Sequence, residues 1–130
     1  MIASDSSTGA AVIIIIEDDE ASRDSLCLLM ECEGLAVQGF ESCEAFLAEG
    51  PSGDAACFIL DVHMAGMSGL DLLERLRADG SRTPAIVVSG NSSPALTERA
   101  FAAGAEVVLD KPFDAAALVD LVLSLLDPRR

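Results

Sequence analysis

AVIIIIEDDE, residues 11–20, decides the fold. Six apolar residues, four of them consecutive isoleucines, break off at Glu17 into four consecutive carboxylates. An unalternated β-branched run fits a strand covered on both faces, which is how strands of a parallel sheet read; a strand with one wet face would alternate. A parallel neighbour can be reached only by a crossover, so a helix has to follow. From Ala21 the apolar spacing becomes helical, with Ser22, Leu26, Leu29 and Met30 on one face and Gly34 where a left-handed cap belongs.

The same unit repeats along the chain. Residues 35–40 form a short strand, and Ser42 then caps a helix carrying Ala45, Phe46 and Leu47 until Gly50 and Pro51 stop it. Residues 55–60 form a third strand ending at Asp61. A loop over 64–69 follows, then a helix with Leu70, Leu72, Leu73, Leu76 and Arg77 that Gly80 closes. Residues 84–88 make a fourth strand leading into the polar loop Ser89, Gly90, Asn91, Ser92, with Ser93 as cap and Pro94 in the first helical position. A last strand over 107–109 precedes a helix capped by Asp114, whose Leu118, Leu121, Val122 and Leu125 hold core-facing spacing. Strict alternation predicts an α/β domain: a doubly wound, five-stranded parallel sheet with helices on both faces. The domain is expected to span 11–127, between a flexible polar leader over 1–10 and a short tail over 128–130.

Composition narrows the function. The 130 residues include 22 acidic and 8 basic side chains, and a net charge of -14 repels nucleic-acid backbones and anionic lipid surfaces. The longest apolar run, residues 10–16, is far short of the ~20 residues a membrane helix needs. The N-terminus lacks the basic start and apolar stretch of a secretory signal, so a cytoplasmic location is expected. Cys27, Cys32, Cys43 and Cys57 include no Cys-x-x-Cys pair, and with His63 as the single histidine they are expected to be buried free thiols rather than a zinc site.

In a parallel sheet the carboxyl ends of the strands share one edge, where ligands bind. The first strand delivers Glu17 and Asp18 to that edge, the third Asp61, the fourth Ser89 and the fifth Lys111. Taken singly these are ordinary: an acidic run after a strand is usually a solvated loop, Asp61 could cap the next helix, Ser89 is a loop hydroxyl and Lys111 a surface charge. Together they are three carboxylates that repel one another, and a hard, oxygen-ligated dication such as Mg2+ relieves that repulsion. A lysine and a hydroxyl beside them suit phosphate oxygens, so the set points to phosphoryl transfer with a carboxylate as acceptor.

Four stretches, IIIIEDDE (13–20), ILDVHMAGMSG (59–69), AIVVSG (85–90) and GAEVVLDKPF (104–113), resemble in content and spacing the receiver domains of bacterial two-component response regulators. Within that family the chain looks most similar to the receivers of nitrogen-fixation-type transcription factors. The resemblance implies a flavodoxin-like (βα)5 fold, with Asp61 as phosphoacceptor and Ser89 and Lys111 as its catalytic partners. It also implies Mg2+ held by Glu17, Asp18, Asp61 and the His63 backbone carbonyl. A sensor histidine kinase or histidine phosphotransfer protein would donate the phosphoryl group, and a downstream effector would read the change in conformation. Such a domain is a regulatory phosphoacceptor rather than an enzyme. The family usually holds the peptide bond before Pro112 cis, and the His63 side chain and Asn91 would stand at the pocket mouth and tune phosphoryl lifetime.

Two departures matter. Ala65 stands where proline is common, which should loosen the loop, and Val108 stands where an aromatic usually rotates with activation; Phe101 or Phe113 could repack instead. A start methionine and a charged tail suit a standalone regulator, the alternative being an excised receiver of a DNA-binding regulator. A rival of another class is a small Mg-dependent phosphatase with an aspartyl nucleophile. Such enzymes favour a second acid two positions on, where this chain has His63. A flavin or nucleotide carrier is disfavoured because no Gly-rich phosphate loop follows the first strand.

Overall fold

In the computed structural model, which describes residues 11–127, five strands alternate with five helices. The strands are β1 Ala11–Ile16, β2 Val37–Phe40, β3 Asp54–Asp61, β4 Ala85–Ser89 and β5 Val107–Asp110. The helices are α1 Glu20–Cys32, α2 Cys43–Glu49, α3 Gly69–Ala78, α4 Pro94–Ala102 and α5 Ala115–Leu126. The leader expected over 1–10 and the tail expected over 128–130 lie outside the described residues.

All strand pairs are parallel and the sheet runs β2-β1-β3-β4-β5. The chain moves outward from β1 to β2 and then returns past β1 to β3, so the winding reverses between β1 and β3. That reversal opens a crevice at their carboxyl ends, which is where Glu17 and Asp61 stand. Successive residues of each strand serve opposite faces. Val12, Ile14, Ile16, Phe58, Leu60 and Val87 pack under α2, α3 and α4, meeting Phe46, Leu72, Leu73 and Ala100. Ile13, Ile15, Ile59, Ile86 and Val88 pack against Met30 of α1 and Leu118, Val119 and Val122 of α5. The isoleucine run is therefore buried on both sides, as an unalternated strand requires.

Each helix opens on a side chain that accepts a main-chain N–H of its first turn: Asp19, Ser42, Ser68, Ser93 and Asp114 respectively. At α3 the cap is reciprocal, Ser68 Oγ accepting from Asp71 N–H while the Asp71 carboxylate accepts from Ser68 N–H. Gly34 takes a φ of 81°, the left-handed value its place after α1 calls for.

Some expectations shift. Ser22 is exposed and Cys27 takes its place on the core side of α1. Gly69 is not loop but the first residue of α3, and Ser68, not Asp61, caps that helix. Ser89 is the last residue of β4, fully buried, rather than a loop hydroxyl, because its backbone continues the pairing with β5 at Asp110. β2 begins at Val37, two residues beyond the start expected from Leu35, whose N–H instead bonds back to Met30 O of α1. Of the four thiols only Cys43 and Cys57 are buried; Cys32, on the outer face of the last turn of α1, is exposed. Burial pushes the thiols of Cys43 and Cys57 up to about 12, so both stay protonated and are poor nucleophiles or metal ligands. No helix among the described residues is long and apolar enough to cross a membrane.

Candidate functional site

Strand ends build the site. β1 stops at Ile16, and the next two residues, Glu17 buried and Asp18 exposed, turn out over the crevice. β3 delivers Asp61, 5% exposed, and carboxylate oxygens of Glu17, Asp18 and Asp61 lie within 4.8 Å of one another. Lys111, just past β5, crosses to them: its Nζ donates to Asp61 Oδ2 at 3.0 Å and to Glu17 Oε1 at 3.2 Å. The Lys111–Pro112 peptide bond is cis, and Lys111 N–H donates to Ser89 O at 2.8 Å, which ties the turn after β5 to the end of β4.

Two buried carboxylates beside a third are costly unless cations answer them. Burial and the charge of Asp61 push the Glu17 carboxyl above its usual range, against the Asp19 N–H and the lysine, which pull it down. Burial works to lower the Lys111 ammonium, but the hydrogen bonds and charges of Asp61 and Glu17 outweigh it and hold the group above its ordinary value. The donor set is all oxygen, which fits a hard dication and disfavours a soft one.

The rest of the pocket is positioned by contacts that sequence reasoning did not reach. Glu17 is fixed at both ends: Asp19 N–H donates to its Oε2 at 3.1 Å and Arg23 Nη1 to its carbonyl at 2.9 Å. Asp61 Oδ1 accepts from the His63 N–H at 3.1 Å. The His63 side chain, expected at the pocket mouth, is exposed and engaged: its Nε2 lies 2.9 Å from Ser89 Oγ. Ser89 Oγ also accepts from Asn91 N–H at 3.1 Å. The loop after Asp61, expected to be loose for want of proline at position 65, is fastened to the start of α2. Glu44 Oε2 accepts from Met67 N–H at 2.8 Å, and Cys43 Sγ approaches Ser68 O at 3.6 Å. Behind Asp61, Gly69 comes so close that a Cβ there would stand 2.4 Å from the Asp61 carbonyl oxygen.

Beside the carboxylates a cleft of about 620 Å3 opens between α1 and the turn after β5, with Ala21, Leu26, Pro112 and Phe113 on its walls. Val108, at the position where an aromatic was missed, is half-buried and packs on the face under α2, α3 and α4. Phe101 is exposed, and Phe113 packs with the other face.

Comparison with known proteins agrees with this geometry. The family model described as the response regulator receiver domain matches residues 13–123. The chain is 43% identical over 112 residues to the transcriptional regulatory protein FixJ of Azorhizobium caulinodans, a match covering 86% of this chain and 53% of that one. It is 39% identical over 114 residues to the C4-dicarboxylate transport transcriptional regulatory protein DctR of Rhodobacter capsulatus, covering 86% and 58%. The chain thus spans about half the length of the curated relatives it matches. Among solved structures, the response regulator receiver protein from Pseudoalteromonas atlantica superposes with a TM-score of 0.84 at 29% identity, covering 92% of this chain and 99% of that one.

Proposed function

The chain belongs to the response regulator receiver domain family, and on that premise we propose that Asp61 accepts a phosphoryl group from a phosphohistidine donor and that the modified domain signals by a change of conformation. One observation carries the reading: carboxylates from two different strands converge with a lysine 3.0 Å from the Asp61 oxygen, at the crevice where the winding reverses. An Asp61 carboxylate oxygen attacks phosphorus, a P–O bond forms, and the P–N bond to the donor imidazole breaks, the departing nitrogen taking up a proton. Lys111 orients the carboxylate beforehand and contacts phosphoryl oxygen afterwards, and the Ser89 hydroxyl supplies a second contact. Glu17, Asp18, Asp61 and the His63 backbone carbonyl would hold Mg2+, which when bound neutralises charge on the phosphoryl oxygens.

The phosphoryl group brings nearly two negative charges and three acceptor oxygens, enough to draw Lys111 and Ser89 inward. Val108 offers no ring to rotate, so the change has to pass through the segment after Ser89 and α4. The donor is a sensor histidine kinase or histidine phosphotransfer protein, the reader a downstream effector, and the compartment the cytoplasm, where free thiols such as Cys43 and Cys57 persist. The domain is a regulatory phosphoacceptor, not a phosphatase: His63 occupies the position of the second acid such an enzyme would use. Because the relatives are transcriptional regulators of which this chain matches about half, the output we propose is transcriptional, through a joined DNA-binding segment or as a standalone regulator acting on a separate partner.

Incubation with acetyl phosphate and Mg2+ should add one base-labile phosphoryl group per chain, and Asp61→Asn should abolish it. Label mapped to another residue would overturn the assignment. So would turnover of a phosphomonoester at many equivalents per chain.

A further inference from the structure

Ser89 Oγ is fully buried, and among the described residues two groups reach it: the Asn91 N–H at 3.1 Å, which donates to it, and His63 Nε2 at 2.9 Å. A hydroxyl has one proton to give. If Nε2 carried a hydrogen, the Ser89 oxygen would accept twice and its own proton would be left in a buried place without an acceptor, a costly arrangement. The arrangement that satisfies every group has Ser89 O–H donating to an unprotonated Nε2, with the ring hydrogen on Nδ1. The same residue touches the acceptor as well, since the His63 main-chain N–H donates to Asp61 Oδ1 at 3.1 Å. His63 therefore links the end of β3 to the end of β4. Its ring is exposed, so it can swing away without unpacking the core.

We propose that His63 is a positioning residue that engages the Ser89 hydroxyl proton in the resting domain, so that a phosphoryl group on Asp61 has to compete with the imidazole for it. This rests on the phosphoacceptor reading of Asp61. A ligand shifts a two-state switch only by its differential contacts. A hydroxyl already hydrogen-bonded at rest adds less to that difference than a free one. The histidine thus raises the threshold for activation, which is distinct from any influence on how fast water reaches the phosphoryl group.

Beryllofluoride, a mimic of the phosphoryl group, is the probe, titrated in saturating Mg2+. His63→Phe keeps a ring but removes the acceptor, and should tighten binding by about two- to tenfold, the net worth of one neutral hydrogen bond. His63→Gln, whose Oε1 can accept the same proton, should return the affinity toward that of the parent. In a Ser89→Ala background, His63→Phe should change nothing. On the parent protein, long-range 1H–15N spectra of the imidazole should show Nε2 without a hydrogen, and its shift should move when beryllofluoride is added. Unchanged or weaker binding in His63→Phe overturns the proposal, as does equal tightening in the Ser89→Ala background. A parent ring carrying its hydrogen on Nε2 overturns it without any variant, so a His63→Phe protein that fails to fold does not shelter it. Parent protein that binds no beryllofluoride removes the phosphoacceptor reading itself, whereas a parent that binds with no His63 effect removes the positioning role alone.

Discussion

Gly69→Ala tests how the acceptor strand is braced. A Cβ at Gly69 would stand 2.4 Å from Asp61 O, 3.0 Å from Asp61 C and 3.1 Å from Leu60 Cβ, where ordinary contact begins at 3.4 Å. The neighbours are the main chain and Cβ of a strand end, not the tip of a flexible side chain. Relief therefore means moving α3 or the end of β3 by the better part of an ångström. In an open helix, alanine for glycine would stabilise by about 0.5–1 kcal/mol. Overpacking a tight interior costs about 1–3 kcal/mol, so the clash outweighs the propensity and the net loss is about 1–2 kcal/mol. For a domain of this size that lowers the thermal midpoint by roughly 3–10 °C. Because the displaced atom belongs to Asp61, phosphorylation by acetyl phosphate should also slow well below the midpoint, where the protein is still folded. Gly90→Ala is the stability control: its nearest neighbour would be Lys111 Cδ at 3.9 Å and its φ is not left-handed, so its stability should stay within about 0.5 kcal/mol of the parent. A Gly69→Ala protein as stable as the parent and phosphorylated as fast would refute the brace.

Millimolar Mg2+ should raise the thermal midpoint by mass action on the native state, and Asp18→Asn should remove most of that rise; an unchanged parent midpoint would count against the acidic site. Arg99 of α4 bonds Asp71 and Glu74 of α3 at 2.8 Å each and holds both carboxyls below their ordinary 3.8 and 4.5. Carboxyls lowered in the folded state stabilise it above their ordinary values, and that contribution is lost as pH falls through the folded ones. Because these side chains are about half exposed, Arg99→Ala should cost only about 0.2–1 kcal/mol by urea unfolding at pH 7, with the difference from the parent starting to shrink as pH drops below 4.5, for Glu74, and further below 3.8, for Asp71. A difference that grows toward acid would mean that the arginine acts otherwise.

The sheet was legible because burial on both faces leaves no alternation, and the run from Val12 to Ile16 has none. The strand-end residues were legible for a related reason: in a parallel sheet, order along the chain determines which residues share an edge. Glu17, Asp18, Asp61 and Lys111 needed only that rule to be brought together. What escaped were contacts between elements whose relative height is set by packing. The Glu44 carboxylate meeting Met67 N–H joins α2 to a loop 23 positions later, and no periodicity announces it. The His63 bond to Ser89 depends on a ring rotamer and on β4 running one residue past Val88, the partner of Asp61. Gly69 was visible as a glycine of a tight loop, but its close approach to the Asp61 carbonyl is a matter of tenths of an ångström. Ser89 reads as loop in the sequence because a serine followed by glycine and asparagine punctuates a chain. The pairing of β4 with β5 carries the strand one residue further than composition implies.

The loops around Asp61 are held with unequal firmness, and that inequality bears on where a signal can go. The segment after Asp61 is pinned by Glu44 and Cys43 of α2, by the reciprocal cap of Ser68 and Asp71, and by Gly69 against the strand. Those contacts are all main-chain anchors, and moving the segment breaks several at once. The turn after Lys111 is set by a main-chain bond to Ser89. The segment after Ser89 has less to lose. Its hydroxyl is engaged by an exposed histidine and by the Asn91 N–H, while Ser92 Oγ is buried with no hydrogen-bond partner among the described residues. An unpaired buried hydroxyl costs about 1–3 kcal/mol, and a rearrangement that gives it a partner or exposes it to water recovers that cost. A phosphoryl group that draws Ser89 inward would therefore meet least resistance in the stretch leading to Ser93 and α4, and most in the stretch leading to α3. Arg99 ties α4 to α3 by a screened surface ion pair and Ala100 is the one residue of α4 buried in the core, so displacing α4 would be opposed by that pair and by a single small buried side chain.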